Sequence, residues 1–233
     1  MKRSGLRIRV LHIAACLAAA VALLIWSVVR TSLAEILLYT LALLWTLYAV
    51  FGLPHLWTDR DLRRRAIAGY LAGMVATTAY TLFRWPASQL GIIPDVPMIL
   101  GDNLWGVADV YWDRCWQSML LGYGVHFLLT GAAWGSAFAL SGLPRLRFGS
   151  MLWGCGVGSI FLLSPLFDAS LTYVTTPLAK LQIALIVFLA HMPYGWCLGK
   201  TFSLLYRRDD ISIGVQSKNS SAAVDLAEAV GGT

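Results

Sequence analysis

Between Cys115 and Leu140 the chain runs for 26 residues without an Asp, Glu, Lys or Arg. That is about the length needed to cross a bilayer as one helix. The run carries one histidine, His126, near its middle, and after it the pair Gly131 and Gly135. A later stretch, AHMPYGWCLGKTF, repeats the plan with His191, Gly195 and Gly199. Two histidines at mid-span depth, each followed by a GxxxG pair, constrain the fold more than anything else in the chain.

Composition agrees with a chain built for lipid. Hydrophobic residues make up 58% and charged residues 13%, whereas a soluble domain carries about a quarter charged residues. Five further apolar runs of spanning length are present: Val10–Val29, Leu33–Leu53, Ala66–Phe83, Phe148–Phe167 and Leu181–Tyr206. The first is read as an uncleaved span. Its IAAC (Ile13 to Cys16) resembles a lipoprotein cleavage box, but most of the apolar run follows the cysteine, the reverse of a signal peptide. The expected fold is all-α: a polytopic membrane protein with six transmembrane helices.

The formal charge of +6 is first a matter of topology. Fourteen of the 18 Lys and Arg residues fall in the N-terminus, the second-to-third loop, the fourth-to-fifth loop and the stretch from Lys200 to Lys218. Only Arg30, Arg84, Arg114 and Lys180 fall on the other side. Basic residues are retained on the cytoplasmic side, so both termini are expected to be cytoplasmic. No nucleic-acid partner is implied. Residues 1–65 form an N-terminal two-span hairpin. Residues 66–208 form a four-span core with an outer loop at 84–114, and 209–233 form a polar tail with too little apolar content to order itself.

The outer loop holds Pro94 and Pro97, which break any long helix, and an aromatic stretch from Leu104 to Trp116. It reads as a short helix lying at the headgroup level. The alternative is an acidic cap over a cavity, formed by Asp95, Asp102, Asp109 and Asp113.

GxxxG pairs occur at Gly69/Gly73, Gly131/Gly135, Gly154/Gly158 and Gly195/Gly199, one in each of the last four spans. Glycines four apart share a helix face and let another backbone approach closely. The expectation is a tight four-helix core made of two His/GxxxG hairpins, with all eight glycines in helix packing and the first two helices outside. The two hairpins look like an internal repeat in one orientation, as in parallel-repeat transporters.

His126 and His191 each lie 11 residues into their spans, counted from Cys115 and Lys180. That places both about 16 Å deep, near the bilayer midplane. Thr77, Thr78 and Ser159 lie at similar depth; Tyr80, Thr81 and Ser164 lie further out. If the glycine contacts close the cytoplasmic half, these residues outline an outward-facing polar pocket. The competing reading is structural: a membrane histidine can simply bridge two helices by hydrogen bonds, and Thr and Ser often bond their own backbone. His12 and His55 sit at span ends and are expected at the interface, while Arg84 and Arg114 are expected to snorkel. The four cysteines form no CxxC. Cys16, Cys155 and Cys197 are read as small apolar residues, and Cys115 as the one near an oxidising face.

Enzyme signatures are scarce. There is no HExxH and no GxxxxGK[ST]. A six-helix plan with a late histidine is similar to rhomboid proteases, but their GxSG serine is missing; the nearest sequences are GVGS at Ser159 and WGS at Ser136. A Ser159–His191 dyad and a haem or metal bridge between the histidines are the chemical alternatives. No cofactor and no catalytic residue is expected.

The stretches GYLAGMVATTAYTLF, HFLLTGAAWGSAFAL and AHMPYGWCLG, within residues 66–200, resemble the YagU-like group of bacterial inner-membrane proteins. The resemblance implies a multi-pass inner-membrane protein and no site residue. The leading functional expectation is binding or passage of a small solute or ion at a midplane pocket. The alternative is a non-catalytic membrane subunit or scaffold, whose glycine faces serve an oligomer or another membrane protein.

Overall fold

A computed structural model of the chain describes residues 3–29, 32–93, 95–106, 116–164, 167, 171, 174 and 176–231, with backbone only at 3–5, 23, 27, 28 and beyond Tyr206. Among the described residues every regular element is helical. The order is α1 (Arg3–Cys16), α2 (Ala18–Val29), α3 (Leu33–Phe51), α4 (Leu53–Thr58), α5 (Arg60–Gln89) and α6 (Val96–Trp105). Then α7 (Trp116–Gly124), a π-helical segment (Val125–Ala132) and α8 (Ala133–Ser141) follow one another without a break. A 3-10 turn, α9 (Gly149–Leu162) and α10 (Pro177–Gly231) complete the chain.

Local chemistry accounts for the main boundaries. Asp59 caps α5 by accepting from the Leu62 N–H at 3.0 Å, satisfying one of the free donors at a helix start. At the end of α8, Gly142 takes φ +87°, a left-handed conformation that costs glycine little.

Among the described residues three helical stretches are long and apolar enough to cross a membrane: Leu33–Phe51, Arg60–Gln89 and Pro177–Tyr206. A fourth is reached if α1 and α2 count as one broken span. Large apolar side chains such as Leu38, Leu43, Phe83 and Leu204 stand exposed on them, which is compatible with a membrane protein.

The helices differ from the sequence expectation in five places. The first run is not one straight helix: α1 and α2 meet at Leu17 with a bend of 57°, because α1 turns to lie across α8. Within the fifth run, α9 covers only Gly149–Leu162, about 21 Å at 1.5 Å per residue. Helix α5 continues past Phe83 to Gln89, through Pro86. The loop helix lies earlier than expected, at Val96–Trp105, and most of the aromatic stretch after it lies outside the described residues, with Arg114 and Cys115. Finally, the tail expected to be unordered continues α10 as helix to Gly231. Its SAAVDLAEAV is rich in strong helix formers, and α10 already supplies the costly nucleus.

The glycine pairs meet two by two. A Cβ on Gly135 would lie 2.6 Å from the Gly73 Cα and 2.8 Å from the Gly73 nitrogen. On Gly73 it would lie 3.0 Å from the Gly131 carbonyl carbon, and on Gly69 2.6 Å from the Ala139 Cβ. Thus α5 and α8 cross backbone against backbone. On the other side, a Cβ on Gly154 would be 3.0 Å from the Gly195 Cα, and one on Gly199 2.6 Å from the Ser150 Cβ, so α9 and α10 cross in the same manner. Ala68, Ala72, Ala76 and Tyr80 of α5 close the bundle against Ala190, Tyr194, Leu198 and Phe202 of α10.

Gly158 meets α10 in a different way. It is buried, but the nearest atoms to a Cβ there belong to a side chain and not to backbone. A Cβ there would meet the His191 side chain instead, 3.1 Å from Cγ and 3.2 Å from Cβ and Nδ1. One turn beyond Gly154 the two helices have diverged, and the gap is wide enough to take an imidazole. Gly158 therefore makes room for a ring, whereas Gly154 makes room for a helix.

Helices α1 and α2 pack from outside, through Cys16 and Ala20 against Ala133, Trp134 and Ala137. The attachment is polar as well as apolar. His12, expected at the interface, is instead buried. Its ring nitrogens bond Tyr48 Oη at 2.7 Å and Ser136 Oγ at 2.9 Å. The bend in α1 brings His12 over the small Ser136, and α3 supplies the tyrosine. His55 is exposed, at the short α4.

Candidate functional site

Beyond the glycine crossings the helices part, and a cavity of about 80 Å³ opens between α5, α6, the π segment, α8, α9 and α10. On one common measure a water needs about 10–15 Å³, so the space suits a few waters or one small solute. Both sequence-expected histidines line it, His126 from the π segment and His191 from α10. Tyr80 sits between them, its ring centroid 4.7 Å from that of His191 and 6.1 Å from that of His126. Thr77 also lines the cavity, donating its hydroxyl to the Gly73 carbonyl at 2.9 Å.

Two other expected pocket residues stand elsewhere. Thr78 is exposed and donates to the Met74 carbonyl at 3.0 Å, because it is one residue, about 100°, around α5 from Thr77. Ser159 is absent from the cavity wall, where Val157, Ile160 and Phe161 represent α9. Ser164, fully buried, donates to the Phe161 carbonyl at 2.7 Å.

The histidines are held differently. His191 Nδ1 lies 2.7 Å from the Val187 carbonyl oxygen. A carbonyl only accepts, so Nδ1 carries the proton and Nε2 of the neutral ring is a bare acceptor. Gly158 backs this ring from α9. His126 Nε2 has only a long contact to Thr81 Oγ1, 3.4 Å, and its backbone carbonyl accepts from Thr130 Oγ1 at 2.6 Å.

The cavity also holds groups the sequence did not single out. Arg84, expected to snorkel, turns inward and is only 3% exposed. It donates to Asp95 Oδ1 at 2.9 Å, and Tyr123 Oη donates to Asp95 Oδ2 at 3.0 Å. Because α5 runs on past Phe83, Thr77, Tyr80 and Arg84 fall at i, i+3 and i+7 on one face. That spacing was the available signal, and ending the helix at Phe83 hid it. Trp134, one turn past Thr130, puts a buried indole N–H in the wall with no hydrogen-bond partner.

Helix α6 roofs the cavity with Val96, Pro97 and Leu100. It is pinned to α7 by close backbone contact at Gly101 and Gly122 and by a hydrogen bond from Ser118 to Asp102. Asp95 and Asp102 are therefore engaged in structural bonds. Asp109 and Asp113 lie outside the described residues. Among the described residues no three His, Cys, Asp or Glu side chains come together as a metal site would require.

The architecture is that of an apolar all-helical bundle with a small, histidine-lined interior cavity. Residues 63–213 match the model of a family of unknown function, DUF6789, and the chain belongs to that family. The match takes in α5 to α10, which build the whole cavity, and leaves α1 to α4 outside. Comparison with curated proteins and with solved structures gave no match.

Proposed function

We propose that this is a multi-pass membrane protein of the bacterial inner membrane, with six spans and both termini cytoplasmic. In this reading its interior cavity binds or passes a small polar solute or ion. The two crossings, α5 with α8 and α9 with α10, support a core of two His/GxxxG hairpins. Spans four and five of this count are Trp116–Ser141 and the region of α9. The likeness of residues 66–200 to YagU-like proteins belongs to the same proposal and carries no residue role.

One observation carries the binding reading. His126, His191 and the partnerless indole N–H of Trp134, from three different elements, converge on one small cavity. A buried donor without a partner costs about 1–3 kcal/mol, which a solute or water in the cavity would offset. The bare Nε2 of His191 offers an acceptor beside it. A solute with both donor and acceptor groups suits the pair. One observation favours the scaffold reading: His191 Nδ1 is satisfied by the backbone of its own helix, as in a purely structural histidine.

The test is a thermal-shift screen of the full-length protein against small organic acids, amines, amides and inorganic ions. A binding site predicts at least one compound that stabilises the wild type and leaves His126→Ala, His191→Ala and Trp134→Phe unshifted. The double histidine variant should be little worse than either single, as for residues acting together. If no compound stabilises the wild type, or every one that does also stabilises all three variants, the scaffold reading stands.

A further inference from the structure

At the other end of the bundle, past the glycine crossings, lies a second and larger space, a groove of about 560 Å³. Its wall carries Arg65 from the start of α5, Arg145 and Arg147 from the α8–α9 connection, and Lys200 from α10. Among the described residues no carboxylate lines it. Of the four cations only Arg65 is paired, with Asp61 at 2.9 Å; Arg145, Arg147 and Lys200 make no ion pair among the described residues. Three separate segments of chain thus bring like charges to one groove, an arrangement that repels itself unless an anion is present.

Much of the rest of the wall is apolar, with Ser150, Ser203 and Tyr206 the polar exceptions. Phe148 and Trp196 stand 59% and 58% exposed, and the Arg147 guanidinium lies 5.2 Å over the Phe148 ring. Helix α9 also begins here, at Gly149, with Phe148 at its N-cap and no side-chain cap bond. A free anion in water has no use for the aromatic half of this wall, and a hydrocarbon ligand has none for the cations. A lipid with a phosphate head uses both, and basic pockets between membrane helices are known to take such headgroups.

We propose that this groove seats one anionic phospholipid. Arg145, Arg147 and Lys200 hold its phosphate, and Phe148 and Trp196 lie along its acyl chains. The inference rests on the membrane-spanning reading and is independent of the histidine cavity.

The test is a titration of the full-length protein in neutral detergent with phosphatidylglycerol and with phosphatidylcholine of the same chains, counting retained lipid by native mass spectrometry. The wild type is expected to retain one phosphatidylglycerol in preference to phosphatidylcholine. A basic residue near an anionic surface contributes about fivefold in affinity, so R145Q/R147Q/K200Q should lose about a hundredfold of that preference. R7Q/R60Q, which removes charge outside the groove, should keep it. Inorganic phosphate at millimolar concentration should not displace the lipid. Equal retention of the two lipids by the wild type overturns the proposal without any variant having to fold. So does a preference that survives the triple substitution, falls equally in R7Q/R60Q, or is abolished by phosphate alone. Failure of the cavity screen leaves this result untouched.

Discussion

Replacing Gly135 by alanine adds one methyl group, and the structure fixes where it goes. The new carbon would sit 2.6 Å from the Gly73 Cα and 2.8 Å from the Gly73 nitrogen. Ordinary contact begins near 3.4 Å, so the crossing must open by at least about 0.8 Å at the Gly73 Cα, and by more where the new carbon meets the still closer Gly69 carbonyl oxygen. Every atom in the way is backbone, so no rotamer change relieves the clash. Overpacking of this kind costs about 1–3 kcal/mol, and opening the crossing also moves the floor of the histidine cavity. Gly156 is the internal control: a Cβ there meets nothing within 4 Å. Gly156→Ala should be neutral, or stabilising by up to about 1 kcal/mol from helix propensity. The assay is equilibrium unfolding in mixed micelles, followed by tryptophan fluorescence. If Gly135→Ala unfolds with the wild type, or if both variants shift alike, the backbone-to-backbone crossing of α5 and α8 is wrong.

Other outcomes follow from the same geometry. Asp95→Asn takes the Asp95 carboxylate away from the buried Arg84 guanidinium and should destabilise by up to about 3–5 kcal/mol; Arg84→Met combined with Asp95→Asn should recover part of that loss, as a double-mutant cycle would show. Tyr48→Phe removes one hydrogen bond to His12 and should cost about 0.6 kcal/mol, the membrane average, while His12→Ala, which removes the bond to Ser136 as well, should cost more in the same unfolding assay. Reporter fusions after Arg65, Asp102, Arg147 and Arg208 should read inside, outside, inside, inside; an outside reading at Arg147 would refute the six-span topology.

What the sequence revealed and what it concealed divide along a physical line. Most of the glycine contacts were legible because GxxxG is a rule about one helix face, and a face is fixed by spacing alone. Gly158 obeys the same spacing and faces α10 as expected, but spacing does not say how far away the neighbouring helix is, so the His191 ring fills its gap. His126, His191 and Thr77 were legible as cavity residues for a similar reason: depth along a helix follows from residue count. Thr78 and Ser159 share that depth, but depth does not say which way a side chain points. Arg84 and His12 were misplaced because general rules for charged and polar residues near span ends assume that nothing buried awaits them. Their partners, Asp95, Tyr48 and Ser136, are 11, 36 and 124 residues away, and no local pattern announces such pairings.

The π segment shows how a one-residue difference in spacing becomes a difference in structure. His126 precedes its glycine by five residues and His191 precedes its own by four. On an α-helix those offsets would put one pair on a shared face and swing the other well off it. The chain bonds Ala133 N–H to the Leu128 carbonyl, five residues back, as a π-helix does. Residues five apart then stack as residues four apart do elsewhere. His126 is thereby returned to the face of Gly131, as His191 shares a face with Gly195, and both rings reach Tyr80. A π turn inside an α-helix is rare and is frequent at functional sites. Holding the second imidazole against the cavity gives this one a reason to persist.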